Sequence, residues 1–587
     1  MSKKLNVVLS LLLSGTLVLS ACSTKSADPP PDTSSPQPSA STAPSTAPSA
    51  APTPEQSKAT NTFIPASDKS KSPAAAQSRT DTLIIGMEDF KGLFNGIYGE
   101  SAYDNYVNGA LFDSLMDLKS DGTYEPSVAK KWEISDDKLV YTYYLRDDVK
   151  FSDGTPLTAE DVAFTLTVMH DKSYDGPSDM IKAMIKGGKE YKEGTATEIE
   201  GIKVIDKHTL EITTTEANSS ALRSVGLSSI IPKHYYGKDY KQGNLDYMKD
   251  LHQKPLGSGP YIMEAYVPGQ EVRFVANEHY FKGKPKIPKL IYKVTSSDTN
   301  IQTLQAGETD MEIQINVNKD NVELLKSLGF LDITLYPTNG YGYIGFNHND
   351  PKFKDKRVRQ ALTYGLNREE IVEAAYQGNA KVINVPQSNV SWAYTDDVNK
   401  YEFNLEKAAQ LLDEAGWKVG ADGIREKDGV KFKIHFLATT PNPVNEVIIP
   451  VAKENYKELG ILFEPDMLDF NAVKEKQKKG DFDMFFLAWQ LTEDPDSTNI
   501  FSTNGSQNEI GYSNPKVDEL LAKGIKEVEI EKRKPIYHEL YKVLNEDPPY
   551  IFLYQRTDMM PINARVQGWD LSPYKKFYYS LHQVAIN

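Results

Sequence analysis

The sequence predicts an α+β protein built around mixed sheets, and three observations support this fold class. Residues 138–146 alternate between two side-chain faces, which is the period of a half-buried strand. Residues 404–416 repeat apolar side chains every three or four positions between Asn404 and Gly416, as in a capped helix. Strand and helix patterns follow one another without regular alternation, so a purely parallel sheet is not expected.

The same rules predict further elements in chain order. Residues 82–86 form a short β-branched run that ends in glycine, and they predict the first strand of the folded body. Thr158 and Asp161 have the spacing of a capping box and predict that a helix begins there. Residues 209–212 and 432–436 alternate as strands do. The 587 residues are enough for about four ordinary domains, or for fewer and larger ones.

Composition excludes several classes of partner and cofactor. The chain carries 66 basic and 81 acidic residues, a formal charge of -15, which repels phosphate backbones and argues against binding nucleic acid. Its single cysteine, Cys22, excludes a disulfide within the chain, cysteine-rich zinc modules and iron–sulfur clusters held by this chain alone.

The N-terminus has the pattern of an export signal. Lys3 and Lys4 precede a charge-free, leucine-rich stretch, which predicts a signal peptide over residues 1–21. A membrane-spanning anchor is the competing interpretation, but six serine, threonine, asparagine and glycine residues dilute the stretch. The residues before Cys22 resemble a bacterial lipobox, which implies cleavage before Cys22, diacylglycerol on its sulfur and a palmitate-type acyl chain. We therefore expect a lipoprotein on the outer face of the cell membrane, in a bacterium of Gram-positive type.

The segment that follows has the composition of a linker. Residues 22–80 begin with the lipidated cysteine and are rich in serine, threonine, alanine and proline, with almost no large apolar side chain. We interpret them as a disordered tether. A flexible coil of roughly 58 residues spans about 40 Å, enough to hold the folded body clear of the lipid.

Signatures of catalysis are missing from the sequence. There is no nucleophile elbow or P-loop, and His538-Glu539 lacks the second histidine of a zincin helix. Gly340, Gly342 and Gly345 match a dinucleotide fingerprint, but the residues after them do not begin a helix, so we interpret this segment as a strand. The acidic run at 494–499 lacks the glycine and glutamate of a calcium loop. We expect no catalytic residues, no metal site and no cofactor.

The ordered motifs of the chain resemble a known family. YEPSVAKKW at residues 124–132 and VKFSDGTPLTAEDV at 149–162 resemble the signature of family 5 extracellular solute-binding proteins, the oligopeptide- and dipeptide-binding components of ABC importers. Further matches are GSGPY at 257–261, GETD at 307–310 and RVRQAL at 357–362. The resemblance covers nearly all of residues 82–570.

The resemblance implies a type II periplasmic-binding-protein-like fold, with two lobes, an extra domain and the ligand in the crevice between the lobes. By similarity, domain I comprises residues 81–112, 211–335 and 561–587. Domain II then comprises 113–210, and domain III comprises 336–560. Several chain crossings imply a hinge, and lobe closure on the ligand gives a permease a closed state to recognise.

The function that the resemblance implies is capture of peptides outside the cell and their delivery to an ABC permease with its ATPase subunits. We expect a monomer that performs no catalysis and meets the membrane only through its lipid. Two alternatives remain open. The first is a receptor with the same fold and a ligand other than a peptide, such as a nickel chelate, an opine or a sugar. The second is an envelope enzyme or a signalling receptor built on this scaffold.

Candidate ligand-binding residues come from two places. In peptide-binding relatives a crevice strand ends in a tryptophan and an aspartate that holds the α-amino group; the matching residues here are 482–496, with Thr492 at the aspartate's usual place. The candidates are Ala488, Trp489, Gln490, Glu493 and Asp494 on this strand and its turn, Asn95 and Tyr98 on the loop after the first strand, and Tyr341 and Tyr343 at the start of domain III.

Overall fold

The structure is a computed structural model that describes residues 61–587. The predicted signal peptide, Cys22 and most of the predicted tether lie outside the described residues. The strands are β1 (Thr62–Ile64), β2 (Thr82–Met87), β3 (Met116–Leu118), β4 (Tyr124–Pro126), β5 (Ala129–Ile134), β6 (Val140–Leu145), β7 (Ile202–Asp206), β8 (Thr209–Thr213), β9 (Tyr261–Val267), β10 (Glu271–Ala276), β11 (Lys289–Val294), β12 (Met311–Glu312), β13 (Leu331–Pro337), β14 (Gly340–Phe346), β15 (Ala380–Lys381), β16 (Lys418–Val419), β17 (Arg425–Lys427), β18 (Val430–Lys431), β19 (Lys433–Thr439), β20 (Leu462–Leu468), β21 (Met484–Gln490), β22 (Tyr550–Asn563), β23 (Val566–Gln567) and β24 (Ala585–Ile586).

The helices within the same residues vary from one turn to more than four turns. They are α1 (Ala74–Gln77), α2 (Ala102–Leu111), α3 (Ala159–Met169), α4 (Gly188–Lys192), α5 (Ser219–Gly226), α6 (Lys233–Tyr236), α7 (Asn300–Gln305), α8 (Lys319–Leu328), α9 (Pro351–Lys354), α10 (Lys356–Tyr364), α11 (Arg368–Tyr376), α12 (Leu405–Glu414), α13 (Pro443–Glu458), α14 (Phe470–Lys479), α15 (Thr498–Phe501), α16 (Pro515–Lys526) and α17 (Ile530–Glu546). Short 3-10 helices cover Lys69–Lys71, Met180–Ala183, Asp246–Leu251 and Phe577–Ser580. None of the described helices combines the length and the apolar character that a membrane span requires.

Local sequence patterns give the expected elements. β6 and β8 alternate between buried and half-buried residues, and the capping box of Thr158 and Asp161 opens α3. The Asn404 side chain accepts a hydrogen bond from the backbone of Lys407 at the start of α12. The segment with the dinucleotide-like glycines is strand β14, as predicted. Mixed sheets and irregularly placed helices confirm the α+β fold class.

One long strand joins two halves of the largest sheet. The central order is β20-β19-β21-β14-β22-β12-β2-β11-β10-β9. The first part of β22 pairs with β14, and its last part pairs with β13 and β12. We call the part of the sheet from β20 to β14, with its helices, the distal half, and the part from β12 to β9 the proximal half. The chain passes between them twice, once along β22 and once between β13 and β14.

Hydrogen bonds fix both crossings at one point. The backbone N–H of Thr338 donates to the carbonyl of Arg556 at 2.9 Å. The Gln555 side-chain amide donates to the Thr338 carbonyl and to the Ser388 hydroxyl, both at 2.6 Å. The two connecting segments therefore meet in a compact junction.

Each half has its own apolar cores. The proximal half shares one core with the four-stranded sheet β5-β6-β8-β7, while α7, α8 and β13 enclose a smaller cluster. The distal sheet has a core on each face. Along β21, Met484 and Phe486 enter one core, and Phe485 enters the other. This alternation decides which side chains of β21 reach the space between the halves.

The structure corrects the predicted end of the tether at residue 80. β1 pairs with β13 in antiparallel register, Thr62 opposite Leu335. Arg79 donates to the carboxylate of Asp310 at 3.0 Å, and that carboxylate is fully buried. Residues 61–80 therefore belong to the folded body. Their composition resembles that of a linker, and the partners that order them, such as Leu335 and Asp310, lie more than two hundred residues away in sequence.

Candidate ligand cavity

A large cavity lies between the two halves. Its volume is about 1130 Å³, above the roughly 300–1,000 Å³ that is typical of pockets for drug-sized ligands. One wall comes from α2, the segment after β12 and the C-terminal segment, and the other comes from α11, β21 and the start of α13. A second cavity of about 610 Å³ shares Asn105 and Tyr578 with it. Asn105 and Tyr578 therefore border both cavities.

Strand β21 presents an unpaired backbone edge to this cavity. On one side it pairs along its whole length with β14, from Met484 to Gln490. On the other side the described pairing with β19 is limited to Met484 and Phe485. Leu487, Ala488 and Gln490 line the cavity. The free N–H and C=O groups of this edge are therefore available to an extended chain.

Aromatic side chains form much of the remaining wall. Tyr106, Tyr336 and Tyr578 contribute from the proximal half. Tyr376 and Tyr554 contribute from the distal half, with ring centroids 4.8 Å apart. Phe470, at the start of α14, is 58% exposed and also lines the cavity. Such rings offer apolar surface to varied side chains, while the tyrosine hydroxyls retain polar contacts.

Four charged residues line the cavity: Glu88, Arg556, Asp558 and Lys576. On β22, a guanidinium nitrogen of Arg556 lies 3.7 Å from a carboxylate oxygen of Asp558. Burial lowers the pKa of Lys576, and the nearby charge of Asp558 opposes that shift. The walls thus carry two positive and two negative groups, which suits a ligand with charges of both signs.

The predicted residues on β21 lie on two different faces. Ala488 and Gln490 line the cavity, and the Gln490 amide donates to the carbonyl of Asn339 at 2.8 Å. Trp489 points to the opposite face of the sheet, where its ring is parallel to that of Tyr343 with centroids 6.0 Å apart. The two-residue period of a strand makes this separation unavoidable.

Tyr341 and Tyr343 belong to the same core as Trp489 and are almost fully buried. Tyr343 also packs against Tyr550 with ring centroids 4.1 Å apart. Burial raises the pKa of both hydroxyls well above the ordinary tyrosine value. Ligand contact by these two tyrosines stays a prediction, and their positions favour a packing role.

The two acidic candidates after β21 both have arginine partners. The carboxylate of Asp494 accepts two hydrogen bonds from Arg533, at 2.7 and 2.9 Å, and both side chains are at least nine-tenths buried. Burial opposes ionisation of Asp494, but the charge and hydrogen bonds of Arg533 outweigh it and lower the pKa. Glu493 accepts from Arg223 of α5 at 2.5 Å. This second ion pair connects the distal half to the proximal half.

Asn95 and Tyr98 lie in the proximal half, outside the lining of the large cavity. The Asn95 side-chain oxygen accepts from the backbone of Ile97, and Asn95 is fully buried. The ring of Tyr98 packs on Tyr174 and His252, with centroids 5.2 and 5.1 Å away. Gly96 and Ile97, between them in sequence, line the second cavity.

Sequence reasoning missed most of the cavity wall. Tyr106, Tyr376 and Lys576 come from segments separated by hundreds of residues, and none belongs to a motif. The only available signal was compositional, an excess of 33 tyrosines over 22 phenylalanines. No group of three histidine, cysteine, aspartate or glutamate side chains suited to a metal ion occurs within residues 61–587.

Comparisons with known proteins agree on one family. The model described as bacterial extracellular solute-binding proteins, family 5 Middle, matches residues 123–512, more than half of the chain. The oligopeptide-binding protein AppA of Bacillus subtilis is 31% identical over 87% of this chain and 93% of its own. Its structure in complex with a nonapeptide covers 86% of this chain and 99% of its own, with a TM-score of 0.67 and 28% identity. NikZ of Campylobacter jejuni, in complex with Ni(L-His), covers 86% of this chain and all of its own, with a TM-score of 0.69 and 26% identity.

Proposed function

The chain belongs to the bacterial extracellular solute-binding proteins of family 5, and we propose that it is the receptor that captures peptides outside the cell for an ABC importer. The permease and its ATPase subunits then take the peptide from the closed receptor. The observation that carries the proposal is the unpaired edge of β21 along the wall of the 1130 Å³ cavity. Main-chain pairing holds a peptide whatever its sequence.

A non-peptide ligand is the second candidate, because the NikZ structure contains a nickel–histidine complex. The cavity favours the peptide. A small chelate fills little of a space of this volume and has no main chain to pair with a strand edge. Aromatic walls and charges of both signs match a zwitterionic chain with varied side chains.

In this function, ligand contact is assigned to the backbone of Ala488 to Gln490. Asp494 holds Arg533 and so shapes the turn after β21, and the Glu493–Arg223 pair favours the closed arrangement of the halves. The three-domain division of the sequence remains part of the proposal, with β22 and the β13–β14 connection as the hinge. The receptor is a monomer that performs no catalysis.

The lipid anchor completes the proposal. Cys22 carries the acyl chains on the outer face of the cell membrane, in a bacterium of Gram-positive type, and the segment before residue 61 links it to the body. The support is the sequence from Lys3 to Cys22, which has the order of charged, apolar and small residues found in lipoprotein signals.

Peptide capture is tested by adding a bulky side chain at the strand edge. Ala488→Trp covers the edge of β21 inside the cavity, and Ala421→Trp, on an exposed turn, is the matched control. Purified variants are refolded free of ligand and mixed with a random pentapeptide library, and retained peptides are quantified by mass spectrometry.

We expect wild type and Ala421→Trp to retain peptides equally and Ala488→Trp to retain at least about tenfold less, the loss that removal of a binding anchor causes. Equal retention by all three proteins would place the peptide elsewhere. No retention by wild type would overturn the peptide receptor itself.

A further inference from the structure

Two consecutive lysines near the C-terminus have very different surroundings. The ammonium of Lys575 lies 3.0 Å from Asp570 and 3.2 Å from Glu125, so its charge is balanced by two carboxylates. Lys576 lines the ligand cavity. Within residues 61–587 its ammonium has no ion-pair partner within 4.0 Å and no hydrogen-bond acceptor within 3.5 Å.

The charge of Lys576 is held at an energetic cost. Burial lowers its pKa, and the only nearby charge that opposes the shift is Asp558, which already lies 3.7 Å from Arg556. The remaining charged group of the cavity wall is Glu88, whose own surroundings include the Tyr103 hydroxyl. A partly buried ammonium without a partner is stabilised when an anion enters and forms a charge-assisted hydrogen bond.

The backbone positions Lys576 rigidly before any ligand arrives. The Ser572 hydroxyl accepts from the N–H groups of Tyr574 and Lys575, at 3.2 and 2.9 Å, which fixes the turn in front of Lys576. The next residue, Phe577, is buried and begins a 3-10 helix, and its ring packs on Tyr106 with 5.1 Å between the centroids. Little conformational entropy of the backbone is therefore lost when a ligand binds.

We propose that Lys576 binds a carboxylate of the ligand and so selects for peptides with a free acid at that point of the cavity. The inference rests on the proposed peptide function. The carboxylate has two possible sources, the C-terminus of the peptide or an aspartate or glutamate side chain. Both present the same planar anion to the ammonium.

Three random pentapeptide libraries separate these sources. The first has free C-termini and no aspartate or glutamate, the second has amidated C-termini with both acidic residues, and the third has amidated C-termini without them. The proteins are wild type, Lys576→Met, Lys576→Arg and the matched control Lys575→Met. Affinity is measured by calorimetry on the best-retained peptide of each library and by competitive retention of the library as a whole.

We expect Lys576→Met to weaken binding of one of the first two libraries by about 10- to 100-fold, as expected for loss of a charge-assisted hydrogen bond. Binding of the third library stays unchanged. Lys576→Arg restores most of the loss, and Lys575→Met has no effect on affinity. The library that responds identifies the source of the carboxylate.

Two other outcomes overturn the inference in different ways. If wild type binds the peptides, and Lys576→Met changes the affinity for all three libraries equally or not at all, then Lys576 does not bind a carboxylate of the ligand. The peptide function stands in that case. If wild type binds no library, the peptide function and this inference fail together.

Discussion

Replacing Asp494 by asparagine removes the charge that balances Arg533 in the interior of the distal half. Both carboxylate oxygens accept from the guanidinium, at 2.7 and 2.9 Å, and the guanidinium also packs 5.3 Å from the ring centres of Trp392 and Tyr537. Breaking a buried pair by removing one partner costs about 3–5 kcal/mol, because the other charge stays buried and unbalanced. We expect Asp494→Asn to lower the stability of the distal half by that amount.

The measurement is urea unfolding followed by tryptophan fluorescence, since Trp392 lies against Arg533. Asp496→Asn is the control, because burial raises the pKa of Asp496 and its main contacts are hydrogen bonds from Thr498 that an amide oxygen also accepts. We expect that control to lose less than about 1 kcal/mol. The double variant Asp494→Leu with Arg533→Met should regain much of the loss, because it leaves no unpaired charge.

Peptide-binding measurements distinguish a structural role of Asp494 from recognition of the ligand amine. If Asp494 holds Arg533, Asp494→Asn weakens peptides with free and with acetylated N-termini by the same factor. Unchanged stability together with a selective loss of free-amine peptides would refute the reasoning and assign the ligand amine to Asp494.

Three further predictions concern the anchor, the N-terminal segment and closure. Cys22→Ser should release the protein from the membrane fraction, since the acyl chains are its proposed attachment; retention after a salt wash would contradict the anchor. A chain beginning at Asp81 should be at least about 2 kcal/mol less stable than one beginning at Asn61, because it loses the packing of Ile64 and the Arg79–Asp310 pair; equal unfolding curves would show that residues 61–80 contribute nothing. Glu493→Gln should shift the free-energy difference between the closed and open arrangements of the ligand-free protein by about 1 kcal/mol toward the open one. The value is modest because Arg223 is partly exposed. The radius of gyration measured by X-ray scattering should rise. Glu464→Gln, which breaks an exposed pair with Lys433 inside the distal half, should not change that radius.

Local patterns predicted the elements but not their partners. The alternation of residues 138–146 and the capping of α12 depend only on residues nearby in sequence, so both could be predicted. Residues 61–80 have the composition of a linker and become ordered only through β13 and Asp310. Here a distant partner overrides the local signal.

The structure places the predicted strand beside the cavity and puts its candidate side chains on two faces. The period of two separates Ala488 and Gln490 from Trp489, but the sequence does not say which face meets the core. Packing of Trp489 against Tyr343 decides it. Arg533 is 39 residues from Asp494, so the partner of that carboxylate was invisible to motif reasoning.

The central claim is that the cavity beside β21 holds a peptide. Native mass spectrometry of the protein purified from its own cells, with the ligand released in the gas phase and fragmented, tests it most directly. We expect a set of bound masses that fragment at peptide bonds into peptide sequences, and we expect those masses to be lost in Ala488→Trp. A single bound mass that corresponds to a metal chelate, an opine or a sugar would contradict it.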